Sequence, residues 1–144
     1  MKTTDAFCDS SALVPLFVGQ SGSSFARSAL KAGSAAIWWG TPVEIATALA
    51  RLRREGVLTA QDSEKAANRL AVARLAWDEV LPSERVRDLA QALVQRHPLR
   101  AADAFQLAAA LEWAKQHPRG RRFICLDRRL AEAARAEGFQ VETS

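Results

Sequence analysis

Three short apolar runs in this chain are followed by an acid, either at once or about one turn on. Phe7-Cys8 runs into Asp9-Ser10-Ser11-Ala12-Leu13, Ala35-Ala36-Ile37-Trp38-Trp39 leads to Thr41-Pro42-Val43-Glu44, and Phe123-Ile124-Cys125-Leu126 leads to Asp127. Each run reads as a buried strand, and each is followed by residues that start helices. Short runs alternating with helical faces predict βαβ units around a parallel sheet. Right-handed crossovers would then bring all three strand ends to one edge, where open α/β sheets bind ligands. A fourth acid, Asp103, opens a long helix between the second and third runs.

The intervening segments read as helices. Ser10 to about Val18 forms a short one bent at Pro15, followed by a turn at Gly19 and Gly22. A second helix runs from about Ser23 to Ala32 and is closed by Gly33. From Thr41, Ile45, Leu49 and Leu52 share a face up to a stop at Gly56. Thr59 caps the next helix, with Asp62 as its capping-box partner and Ala66, Leu70, Ala73 and Trp77 inward. Asp78 to Pro82 is a peripheral strand. Ser83 begins a helix with Val86, Leu89, Ala90, Leu93 and Val94 inward, ending at His97-Pro98. The Ala-rich helix from about Leu99 to Gln116 turns Ala104, Leu107, Ala108 and Leu111 to the core. Asp127 opens the last helix, Gly138 closes it, and Phe139 to Glu142 supplies a final strand.

At 144 residues, the chain is expected to be a single domain, 1–144, with a core large enough to need no disulfide or metal staple. Its two cysteines, Cys8 and Cys125, both fall in predicted strands, which points to buried thiols in a reducing compartment. Asp5 and Asp9 interrupt any signal-peptide core, and no apolar stretch is long enough to span a membrane, so a cytoplasmic protein is expected. The net charge of +4 comes from 16 Arg and 4 Lys. Arginine suits phosphate recognition, while a GC-rich genome would produce the same bias, so composition leaves both explanations open.

Singly, each acid has an ordinary structural role. Asp9 and Asp127 are good N-caps, Thr41-Pro42-Val43-Glu44 fits a capping box with Pro at N1, and Asp103 suits a first turn. Together, carboxylates crowded at one sheet edge repel one another unless a cation lies between them. An all-oxygen set suits Mg²⁺ or Mn²⁺, which complete their shells with water and substrate phosphate. That converging arrangement points to phosphoryl chemistry. His97 and His117 both precede Pro in helix-ending loops and offer no zinc spacing.

In order and spacing, Asp9-Ser10-Ser11-Ala12-Leu13, Thr41-Pro42-Val43-Glu44-Ile45-Ala46, Leu99-Arg100-Ala101-Ala102-Asp103-Ala104 and Leu126-Asp127-Arg128-Arg129-Leu130 resemble the motifs of the PIN-domain family. Within that family the chain is most similar to the VapC-type ribonuclease toxins of toxin–antitoxin pairs. The resemblance implies a three-layer α/β/α fold with a central, mainly parallel sheet of four to five strands. It implies a Mg²⁺- or Mn²⁺-dependent endoribonuclease that hydrolyses RNA with metal-activated water, leaving a 5′-phosphate and a 3′-hydroxyl. Asp9, Glu44, Asp103 and Asp127 would hold the metal, and Ser10 or Ser11 would support Asp9. A homodimer and a VapB-like antitoxin are the implied partners. Arg100, Arg128 and Arg129 lie beside the acids, where they would meet RNA phosphates or balance charge. Family members often carry Thr or Ser where this chain has Cys125, and a thiol is a weaker hydrogen-bond partner.

A receiver domain would need a Lys after a strand near the last acid, and Lys2, Lys31, Lys65 and Lys115 are all elsewhere. A non-catalytic PIN-like RNA- or protein-binding module would keep the acids only as caps, and a housekeeping RNA-processing nuclease would use the same site on other targets. Trp38 and Trp39 read as core or dimer contacts in preference to base-stacking residues, and Trp77 and Trp113 as packing.

Overall fold

A computed structural model describes residues 4–18, 24, 26–27 and 34–143. The helix expected from about Ser23 to Ala32 and the glycine turn before it fall almost entirely outside the described residues. Five strands, β1 (Thr4–Cys8), β2 (Ser34–Trp38), β3 (Asp78–Val80), β4 (Arg122–Ile124) and β5 (Gln140–Glu142), form one sheet in the order β3-β2-β1-β4-β5. Every pairing is parallel. The chain builds outward from β1 to β3 on one side and then crosses to β4 and β5 on the other. The order therefore reverses between β1 and β4, the place where an open parallel sheet leaves a crevice at its carboxyl edge.

Strand alternation divides the core into two layers. Ala6, Cys8, Ala35, Ile37 and Ile124 face helices α1 (Ser10–Val18), α2 (Thr41–Arg54) and α3 (Ala60–Ala73). Phe7, Ala36, Trp38 and Phe123 face α4 (Glu84–Arg96), α5 (Ala101–Trp113) and α6 (Arg128–Glu137). The result is the three-layer α/β/α sandwich expected from the sequence. Helix α5 is apolar nearly all round, with Ala104, Leu107, Ala108, Ala109, Ala110 and Leu111 buried. Its alanines let the backbone lie close to the sheet, so residues in its first turn reach the crevice.

Several local expectations hold. Thr59 and Asp62 form a reciprocal capping box, Ser83 caps α4, and Gly138 closes α6 at φ 112°. Trp77 meets Phe17 edge-on, and Trp113 packs on Phe7 with the Arg121 guanidinium over its ring.

Other expectations are corrected. Helix α5 is shorter than predicted, because Arg100 stays extended at its start and Lys115 and Gln116 turn left-handed after its end. Val94 is exposed, since Val86, Ala90 and Leu93 already fill the buried stripe of α4. Cys125 lies just past β4, buried but outside the strand. Thr41 is not a cap: α2 is capped by Gly40, with no side-chain bond, and Thr41 lies inside the first turn. A Cβ at Gly40 would come within 2.7 Å of the Trp38 indole nitrogen, so the close approach of that ring calls for glycine here.

Candidate active site

The carboxyl ends of β1 and β4 are tied together before any side chain takes part. The Asp9 N–H donates to the Ile124 carbonyl at 3.0 Å, extending the parallel pairing to the first acid. Ser11 joins the same two strand ends through its side chain. Its hydroxyl donates to Asp9 Oδ2 and accepts from the Leu126 N–H at 2.9 Å, while its backbone N–H also donates to Asp9 Oδ2 at 3.1 Å. Asp9 is thus the cap of α1 and is only 3% exposed.

Glu44 is held from two sides. Ser10 Oγ donates to its Oε1 at 2.9 Å, and Gln106 Nε2 donates to its Oε2 at 3.1 Å. Ser10 therefore serves Glu44 and Ser11 serves Asp9, dividing between two acids the support that the sequence assigned to Asp9 alone. Asp103 stands in the first turn of α5. Asp127 caps α6 by accepting from the Leu130 N–H at 2.8 Å through Oδ1.

These acids share one electrostatic neighbourhood. Burial pushes the Asp9 carboxyl up to about 7; the Ser11 bonds oppose the shift, and the nearby Glu44 and Asp103 charges add to it. Glu44 is raised by burial and by Asp103, against its bonds from Ser10 and Gln106. Asp103 is raised by burial and by Asp127, with Arg100 pulling the other way.

A cleft of about 690 Å³ is lined by Glu44, Arg51, Arg100, Asp103, Asp127 and Arg129 among others. Asp9, nearly fully buried, is not among the lining residues. A second hollow of about 410 Å³, walled by Ser10 and Ser11, shares Glu44 and Arg51 with the first. Arg128 lines a different depression with Glu132 and Arg135, so the two neighbouring arginines on α6 serve different faces.

Among the described residues, no three His, Cys, Asp or Glu side chains are drawn together closely enough to enclose a metal ion. The donor set nonetheless suits a hard divalent cation. It is all oxygen, burial and then neighbouring negative charge hold Asp9, Glu44 and Asp103 above the usual carboxylate range, and a Mg²⁺-type ion takes only one or two carboxylates and fills the rest of its shell with water. Cys125 supplies its own support by donating from Sγ to the Asp127 carbonyl at 3.5 Å, and burial pushes its thiol up to about 12.

Three residues have roles at the site that local sequence patterns do not reveal. Thr41 and Gln106 are both fully buried, and Arg51 lies two turns beyond Glu44 on the same face of α2. The available signal for Gln106 was a lone amide in a run of Ala and Leu, one turn after Asp103.

The fold and cleft define a class: a parallel α/β protein with carboxylates and arginines ringing the switch point of its sheet. The profile of the PIN domain family matches residues 6–136, and the chain belongs to that family. Among solved structures it is similar to a toxin-antitoxin complex from Klebsiella pneumoniae, with 21% identity and a TM-score of 0.63 over 88% of this chain and 90% of that one. At that identity the likeness is one of fold. Comparison with curated proteins gives no match.

Proposed function

We propose that this PIN-domain protein is a Mg²⁺- or Mn²⁺-dependent endoribonuclease and the toxin of a VapC-type toxin–antitoxin pair. The observation that carries this reading is the shared cleft, lined by Glu44, Asp103 and Asp127 together with Arg51, Arg100 and Arg129. Carboxylates and guanidiniums side by side suit a ligand that brings a cation and phosphates together.

Asp9, Glu44, Asp103 and Asp127 would hold the ion directly or through water. When bound, the ion supplies activation of a water molecule and charge neutralisation at the scissile phosphate. Ser11 orients Asp9, and Ser10 orients Glu44, through neutral donors that leave the carboxylate charge intact. Asp9 must give up the proton that its buried site favours. Arg51, common to both hollows, and Arg129 and Arg100, in the larger cleft, would seat RNA phosphates on either side of the cut. Capping by Asp9 and Asp127 uses Oδ2 of one and Oδ1 of the other. A cap and a ligand are therefore compatible roles for the same carboxylate.

A cytoplasmic homodimer silenced by a VapB-like antitoxin completes the proposal. It draws support from the resemblance to VapC proteins and from a fold shared with the Klebsiella complex. Among the described residues no helix is long and apolar enough to cross a membrane. Induced expression in a bacterium lacking any antitoxin tests the reading. The wild-type chain is expected to arrest growth with loss of intact RNA, and Asp103→Asn to leave growth normal. Equal growth at equal expression of both would contradict it.

A further inference from the structure

We infer that Gln106 is a positioning residue for the acidic cleft, its carboxamide fixing the Glu44 carboxylate in the orientation that faces Asp103. The inference rests on the reading above, in which Glu44 is a metal-binding group.

Gln106 is fully buried on α5, one turn beyond Asp103. Its amide nitrogen spends both hydrogens on α2, donating to Thr41 Oγ1 at 2.9 Å and to Glu44 Oε2 at 3.1 Å. Thr41 is itself fully buried, one turn before Glu44. A single side chain thereby sets the helix carrying Asp103 against the helix carrying Glu44. With Ser10 on Oε1 and Gln106 on Oε2, each oxygen of Glu44 has its own donor. Both donors are neutral, so they direct the carboxylate without cancelling the charge that a cation needs. A lysine or arginine in either place would compete with the ion.

The other end of the amide argues against a purely structural tie. Gln106 Oε1 is buried and has no hydrogen-bond partner among the described residues. Buried carbonyls are nearly always paired, and one left unpaired calls for a reason. Turning the amide over would not help, because Oε1 would then face Glu44 Oε2 as two opposed acceptors. The surrounding stretch of α5 is Ala and Leu, so an unbranched apolar side chain of similar length would fill the space and remove the unpaired carbonyl, at the cost of leaving the buried Thr41 hydroxyl without Gln106. Such a side chain could not hold Glu44. The core here keeps a polar group that packing alone would discard, and its one partner with chemistry at stake is a carboxylate of the cleft.

The test compares wild type, Gln106→Met, Glu44→Gln and the double variant, all as metal-free full-length protein. Mn²⁺ affinity is read by calorimetry, and melting temperature is read in EDTA. Gln106→Met is expected to weaken Mn²⁺ binding about ten-fold or more. Its melting temperature should stay within about 4 °C of wild type, because the orphaned Thr41 hydroxyl offsets the removal of the unpaired carbonyl, and it should have no further effect on affinity in the Glu44→Gln background. Unchanged affinity in Gln106→Met, or an equal loss with and without the Glu44 carboxylate, would overturn the inference. If wild-type protein binds no Mn²⁺, the metal reading fails, and a crystal structure of Gln106→Met then decides the point. A displaced Glu44 carboxylate upholds positioning by Gln106, and an unmoved one refutes it.

Discussion

The Ser10 hydroxyl donates to Glu44 Oε1 at 2.9 Å across a sequence gap of 34 residues, linking the first turns of α1 and α2. The adjacent Ser11 turns instead to Asp9 and to the Leu126 N–H. Two neighbouring hydroxyls thus serve two acids, and removing them should have different consequences.

Ser11→Ala leaves the Leu126 N–H without its partner and removes a bond from a buried carboxylate. It should destabilise the fold by about 1–2 kcal/mol and raise the Asp9 pKa further. Ser10→Ala removes a bond at the cleft edge and should lower stability by less than about 1 kcal/mol, while reducing metal-dependent cleavage by about ten-fold. Urea denaturation of both variants, with cleavage rates alongside, checks the contrast. Equal destabilisation would count against the division of labour.

The metal-free protein should lose stability as pH rises. Asp9 titrates near 7 in the fold against an ordinary 3.8, so the native state keeps a proton that the unfolded chain releases between those values. The contribution is full below about pH 4, falls through the interval and is gone above about 7, a change on the order of 2–4 kcal/mol. Glu44 and Asp103 are shifted in the same direction. Thermal melts in EDTA at pH 4.5 and 8 test the slope, which Asp9→Asn should flatten markedly. Stability that rises over this range in wild type and not in the variant would refute the assignment.

The arginines should separate by face. Arg51→Ala and Arg129→Ala are expected to weaken binding of an uncleavable RNA about three- to ten-fold and to lower the salt slope by about one. Arg128→Ala, on another depression, should change affinity by less than about two-fold. Filter binding at several salt concentrations distinguishes them, and an Arg128 effect as large as that of Arg129 would displace the binding track.

The strand ends were legible because each acid directly follows, or lies a turn beyond, a short apolar run bounded by helix-start signals, the pattern of a buried strand in a βαβ unit. That placed Asp9, Glu44 and Asp127 at one edge, and the helix-start pattern placed Asp103. The Thr41 capping box was misread because the cap is Gly40, chosen for the indole of Trp38, a contact no local pattern encodes. Arg128 and Arg129 are adjacent in sequence but about 100° apart on a helix, so only the orientation of α6 separates them. Gln106 was missed because its partners are 62 and 65 residues away. Trp38 stacks on Phe105 at 5.3 Å, as a core residue should, whereas Trp39 is 53% exposed.

The most direct measurement is cleavage of end-labelled RNA by antitoxin-free wild-type protein and by Asp9→Asn, with Mg²⁺ or Mn²⁺ and again with EDTA. The account predicts cleavage by wild type alone, abolished by EDTA, with 5′-phosphate and 3′-hydroxyl ends. Cleavage that persists in EDTA or in Asp9→Asn, or an inert wild type on a broad RNA pool, would contradict it.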